Sequence, residues 1–342
     1  MKTYEYIFAA IIMVAILLAA VFLTGISPPL YRSTSEVEQL KMAAQKIMAQ
    51  IILSPGEPED WGENITVRAS DLSSLGLAVS TVFTREAFVL DPDKVQRLSQ
   101  SLPGDISIQP NTVRSLLNLG FDYDIKMEFI PALKIEIRQI DLSGVEVSVV
   151  SEQGMPAVNA NVTVGAVFTG GGVLLKRAYG FTDENGKCTL SLNFFSPALL
   201  IAAVDYYGVQ GVTVKAVGAV TNAYFIGRFL LSSSYISSDE AYQIFLTKLP
   251  NGSISIGSVH YELTYSNKKI DNYYVYEMNG IEPYTVAVVT ASDSGFIAAW
   301  KKIPESFGSS AKEMPLAYML ERSVKIGLSS YTVRLWVWRV SW

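Results

Sequence analysis

The chain opens on 17 consecutive apolar residues, Ile7–Leu23 (IFAAIIMVAILLAAVFL), after only six others. Read on through Thr24 and Gly25 to Ile26, the run reaches the roughly 20 residues that a helix needs to span a bilayer, and it predicts a transmembrane anchor. MKTYEY sets Lys2 against Glu5, and no Ala-x-Ala site follows. The run therefore reads as an uncleaved anchor rather than a signal peptide. Pro28-Pro29 is expected to end that helix or kink it hard. Ser35 is a plausible N-cap, with Glu36 and Glu38 in the first turn. Val37, Leu40, Ala44, Ile47, Met48 and Ile51 then recur at helical spacing. An amphipathic helix to about Leu53 is expected, stopped by Ser54-Pro55-Gly56. The stretch from Ser54 to Trp61 reads as a defined turn with Trp61 packed inward.

Farther on, Asp91-Pro92-Asp93 has the form of a helical cap, and Asn111 to Gly120 that of a short helix closed by glycine. Tyr123, Ile125, Met127 and Phe129 alternate with Asp124, Lys126 and Glu128, which predicts a half-buried strand. Residues 31–132 thus read as an α+β domain behind an anchor at 1–30. Past Pro131, short alternating runs separated by turns at Gly154-Met155-Pro156 and Thr182-Asp183-Glu184-Asn185-Gly186 predict an Ig-like β-sandwich over 133–218. Residues 219–342 continue as a β-rich domain, with a short helix near Ala317 to Glu321 and a closing strand through YTVRLWVWRVSW. The expected fold is an N-terminal transmembrane helix, an α+β domain and mostly-β domains that include an Ig-like sandwich.

Composition narrows the function classes. Charged residues make up 17% and hydrophobic ones 49%, and the net charge is −5 with no basic cluster. Nothing in that balance draws the chain to nucleic acid. Cys188 is the one cysteine, so no intrachain disulfide can form. Lys2 before the apolar run and Arg32 after it give no clear orientation. Three acceptor sequons, at Asn64, Asn161 and Asn251, favour an outward-facing C-terminal region carrying N-glycans, on a single-pass protein of the cell membrane.

Residues fit for chemistry are few. His260, the one histidine, lies in an alternating strand, and no Gly-x-Ser-x-Gly elbow occurs. One Cys and one His cannot make a usual zinc site. Gly170-Gly171-Gly172 reads as a hairpin loop, not a phosphate cradle. Asp122 with Asp124, and Asp183 with Glu184, read as solvent-facing pairs, and Cys188 reads as a core filler. No catalytic, cofactor-binding or metal residue is expected, and the chain reads as a non-enzyme.

Several segments resemble archaeal pilin-like, membrane-anchored cell-envelope proteins. They are the Ile7–Leu23 anchor, LKMAAQKIMAQIILSPGEPEDWG from Leu40, Gly76-Leu77-Ala78, LDPDKVQRL from Leu90 and VRSLLNLGFDYDIKMEF from Val113. Leu133 to Gly218 is similar to carboxypeptidase-regulatory-like surface modules. The resemblance implies a membrane-anchored, extracytoplasmic structural or interaction protein of the archaeal envelope. Its expected partners are the bilayer, through Ile7–Leu23, and other envelope or pilus-like proteins. A pilus-like filament subunit or minor pilin and a surface hydrolase stand as alternatives.

Overall fold

The computed structural model describes residues 2–80, 88–119, 122–141, 143–170, 172–250, 252–293, 295–309 and 317–340. A single helix, α1, covers Lys2–Leu53 and runs on through Pro28-Pro29, where a break was expected. Two prolines remove two backbone donors, a loss that a helix of this length absorbs.

Among the described residues, no helix is long and apolar enough to cross a membrane. The transmembrane anchor over Ile7–Leu23 is therefore not upheld. With it fall the bilayer as partner, the single-pass cell-membrane localisation and the extracellular placement of the C-terminal region.

The remainder is mostly strand. In chain order, β1 is Val89–Leu90, followed by the short helices α2, Pro92–Gln96, and α3, Pro110–Leu116. Next come β2 (Tyr123–Pro131), β3 (Leu133–Gln139), β4 (Gly144–Ser151), β5 (Asn161–Thr169), β6 (Val173–Phe181), β7 (Lys187–Ser191), β8 (Ala198–Tyr206) and β9 (Val209–Val217). They are followed by β10 (Val220–Ile226), β11 (Phe229–Ser232), β12 (Glu240–Lys248), β13 (Ile254–Ile270), β14 (Tyr273–Met278), β15 (Thr285–Ser292) and β16 (Gly295–Trp300). The last three are β17 (Ser306–Gly308), β18 (Ala317–Ile326) and β19 (Ser329–Arg339). The segment expected as a helix near Ala317 is thus strand β18. Its side chains alternate against β19 over ten successive pairs, and that pairing outweighs local helix propensity.

Sheet membership does not follow chain order. The first sheet runs β1-β18-β19-β2-β17, so the C-terminal hairpin lies beside a strand from the front of the chain. Val333, Leu335 and Val337 of β19 stand opposite Phe129, Met127 and Ile125 of β2. This apolar face packs on Leu40, Ala44, Ile47, Met48 and Ile51 of α1. On the other face Arg334 reaches Glu321 at 2.5 Å, Glu128 at 3.5 Å and Glu152, at the end of β4, at 3.8 Å.

Sheets β3-β4-β7 and β6-β5-β8-β9 face each other around Val145, Val147, Val162, Val164, Leu200 and Val204. Strands β10-β11-β14-β13-β12-β15-β16 close into a seven-stranded barrel, sealed by a parallel pairing of β10 with β16. A barrel was not among the expected architectures. Alternation tells which residues face in, but closure depends on which edges meet. The fold is mostly β with a closed barrel, and it replaces the expected transmembrane-plus-α+β arrangement.

The barrel is wedged between the other two units. Ile244, Ile254, Ile256 and Phe296 on its outer wall pack on Val167, Leu199, Ile201 and Ala203 of the sandwich. Ile226, Leu231 and Val275 pack on Ile65, Leu102 and Ile106. Close approach at the first of these joints needs Gly165, where a Cβ would stand 3.1 Å from Ile256 Cδ1 and 3.2 Å from Leu175 Cδ1. Gly165→Val overfills this contact and is expected to cost about 2 kcal/mol in urea unfolding. An unchanged midpoint would show that the joint is loose.

Candidate functional site

The most unusual chemistry in the molecule lies on five-residue helix α2 and the residue after it, where Asp93, Lys94, Gln96 and Arg97 are all buried. Asp91 caps the helix, its Oδ1 accepting the Asp93 N–H at 2.8 Å. Pro92 at the first helical position has no N–H to satisfy, and the helix starts there. Burial of a charge is tolerated only with a full set of partners, and the two cations find theirs in main-chain oxygens. Arg97 donates from Nε to Ile106 O at 2.9 Å and from Nη2 to Val67 O at 2.6 Å. Its Nη1 donates to Trp61 O and, at 3.3 Å, to Asn64 O. Lys94 Nζ donates to Pro55 O at 2.8 Å and to Ala78 O at 3.0 Å.

Trp61 is fully buried between these cations, with Arg97 5.5 Å and Lys94 5.9 Å from its ring centroid. Its indole N–H donates to Pro55 O and Gly76 O at 3.1 and 3.2 Å. Gly76 is required there, because a Cβ would lie 2.1 Å from Ser54 O. Two irregular loops are thereby pinned without strands: side-chain donors take the carbonyls that no ladder uses.

The node also grips the barrel. Asp93 Oδ2 pairs with Lys301 Nζ at 2.7 Å, while Gln96 accepts from Lys302 N–H at 3.2 Å and donates to Phe225 O at 3.3 Å. Burial, and then the neighbouring Asp93, push the Asp91 carboxyl up to about 6. Burial lowers Arg97 to about 10, which leaves it charged at neutral pH. The groups are tied to carbonyls or to one another across joints. This is the chemistry of a fastener.

At one end of the barrel, Tyr276 is buried with its hydroxyl accepting the Ile236 N–H at 2.7 Å. Tyr235 lies edge-on to Tyr265 and Tyr274, with centroids 6.0 and 5.7 Å apart, and Lys269 Nζ stands 4.0 Å from the Tyr274 ring. Midway along, the buried Gln243 amide is spent: it donates to Gly280 O at 2.6 Å and accepts from Glu282 N–H at 2.8 Å and from the Thr285 hydroxyl at 3.2 Å.

The structure does not bring the residues singled out in the sequence together. Cys188 is buried on β7, and burial raises its thiol above the ordinary value. His260 is exposed on β13, 5.3 Å from the Tyr242 ring. Asp122 is exposed, and Asp124 faces Arg114 at 3.8 Å. Asp183 closes its own turn by accepting the N–H groups of Asn185 and Lys187, beside exposed Glu184. Gly170 and Gly172 close the β5–β6 hairpin.

The glycan expectation is also corrected. Asn64 is held in a turn by Asp60 and Thr66, and the Thr163 hydroxyl of the Asn161 sequon is buried on Ile254 O at 2.7 Å. The Asn161 sequon is therefore not freely presented, that at Asn64 is half-exposed, and Asn251 lies outside the described residues. The α2 node was missed in the sequence because a five-residue helix shows no face, so nothing marks Lys94, Gln96 and Arg97 as buried.

No family model matches the chain, and no curated protein matches it. Among solved structures, a crystal structure of invasin, a bacterial integrin-binding protein, aligns at 11% identity and a TM-score of 0.17, covering 62% of this chain and 54% of that one. Human GIVD cytosolic phospholipase A2 aligns at 7% identity and a TM-score of 0.11, covering 64% of this chain and 33% of that one. The chain thus spans about half of the first and a third of the second. Similarity this slight carries no argument about function. The resemblance to archaeal pilin-like envelope proteins is not upheld. The envelope role falls with it, as do the filament alternative and the expected envelope or pilus-like partners.

Proposed function

We propose that this protein is a non-catalytic β-scaffold that acts through contacts at its surface. The observation that carries this reading is the filled barrel. In a closed barrel the interior and its mouth are the usual places for a ligand site. Here Phe225, Leu230, Leu263, Met278 and Val288 occupy the interior, the Gln243 amide has its partners inside the wall, and tyrosines pack one end. The buried ionisable groups of α2 serve the joints between units, which makes the surfaces rigid relative to one another.

Two measurements test this on the full chain. Native Cys188 is expected to react with iodoacetamide at least about 100-fold more slowly than in urea, because the thiolate is both covered and disfavoured. A fluorophosphonate probe is expected to label no serine. Fast native alkylation of Cys188, or probe labelling abolished by a single serine substitution, overturns the reading.

A further inference from the structure

The two edges of the sheet β6-β5-β8-β9 are treated differently. At β9, Lys215 Nζ donates to Ile137 O at 2.7 Å and the Gln210 N–H reaches the Ser330 hydroxyl at 3.5 Å, so β3 and β19 cover that side. At β6, nothing among the described residues pairs with the outer side. This strand pairs with β5 over nine unbroken residue pairs, without proline or bulge. An open edge of that length is a template for another strand, and proteins normally blunt such edges with charge. Edge strand β3 is blunted in this way, by exposed Lys134, Glu136 and Arg138. Strand β6 exposes Tyr179 at 56% and Phe181 at 63%. Its Lys176 is drawn off the edge: Nζ donates to Asn193 O at 2.6 Å and lies 5.6 Å from the Phe168 ring.

We propose that β6 is a self-pairing edge, through which two copies of the chain join antiparallel about a two-fold axis at Ala178 and merge their four-stranded sheets into one. The sequence of β6 is self-complementary in this register. Residues whose numbers sum to 356 stand opposite, so Arg177 faces the partner's Tyr179 and Leu175 faces the partner's Phe181, each twice by symmetry. The first is a cation over an aromatic face, the second an apolar cross-strand pair. On the other face Lys176 meets the partner's Gly180, which offers no clash. A register centred on Arg177 would oppose like charges, which disfavours it. Both residues of each pair are already in extended backbone, so little ordering is needed.

Sedimentation equilibrium of the full chain tests this, and a dimer is expected. Tyr179→Lys sets an ammonium against the partner's Arg177 at two places, and dimerisation is expected to weaken at least about ten-fold. Adding Arg177→Glu to it restores opposite charges, and the double variant is expected to recover within about three-fold. Matching thermal midpoints of the variants show that each remains folded. A wild-type chain that stays monomeric at roughly 100 µM, a dimer unmoved by Tyr179→Lys, or a double variant that does not recover overturns the proposal.

Discussion

Arg97→Met, at the residue that follows α2, is expected to cost about 4 kcal/mol, the largest loss from any single substitution at this buried polar node. The guanidinium serves the carbonyls of Trp61, Asn64, Val67 and Ile106, and among the described residues only Asn64 O has another donor, the Val67 N–H at 3.2 Å. Methionine fills much of the volume and leaves the other acceptors without a donor, at about 1–3 kcal/mol each before relaxation and water entry. Urea unfolding followed by tryptophan fluorescence reads the effect, since Trp61 stacks on the same side chain. Arg97→Lys is expected to recover less than half of the loss, because an ammonium cannot reach acceptors spread around a planar fork. A loss below about 1 kcal/mol would mean that these loops are held by their apolar contacts alone.

The second expected result is a stability that falls as pH rises from 4 to 7. The Asp91 carboxyl is raised from 3.8 to about 6, first by burial and then by Asp93, against the opposing pull of Lys301 and Lys94. The folded chain therefore binds a proton that the unfolded chain releases. The contribution is complete below about pH 4 and is lost as pH climbs through about 6. Two pH units at ~1.4 kcal/mol each set a ceiling near 3 kcal/mol, and because the residue is half-buried, solvent reduces this to about 2 kcal/mol. Urea midpoints at half-unit pH steps measure it. Asp91→Asn, neutral throughout and still able to cap α2, is expected to flatten the profile over this window. Asp71, Asp141 and Asp183 are exposed and lowered, so they act below pH 4, while Glu128, lowered from 4.5, acts with the opposite sign at the acid end of the window and is unchanged in Asp91→Asn. An Asp91→Asn profile parallel to wild type would show that the slope arises elsewhere.

How much of this was legible beforehand differs from element to element. The alternation of Ile125, Met127 and Phe129 names both the strand and its buried face, and the three are buried on β2. Asp91-Pro92-Asp93 carries its cap in its residue types, and Asp91 accepts the bond. Trp61 in a proline-bounded turn was read as inward, and it is fully buried. The segment near Ala317 misled, because a strand that exposes Glu321, Arg322 and Lys325, on both of its faces, resembles a helix until its partner is known. The apolar run at the front misled in another way, since hydropathy alone speaks of lipid and not of the helix in which it sits. The buried side of α2 was hidden because the polar residues there are matched by carbonyls, which every residue owns and none advertises.

By itself, then, the sequence determined much of the local grammar of this protein: where most strands run, which apolar side chains turn inward, and where turns must fall. These follow from side-chain size, polarity and backbone sterics within a few residues. Only the tertiary structure decided that β19 lies beside β2 some two hundred residues earlier, that β10 meets β16 to close a barrel, and that Arg97 and Lys94 sit inside. Strand pairing uses backbone groups common to every residue, so a pattern of alternation specifies a face without specifying a neighbour. The same indifference leaves the β6 edge open to a second copy of itself.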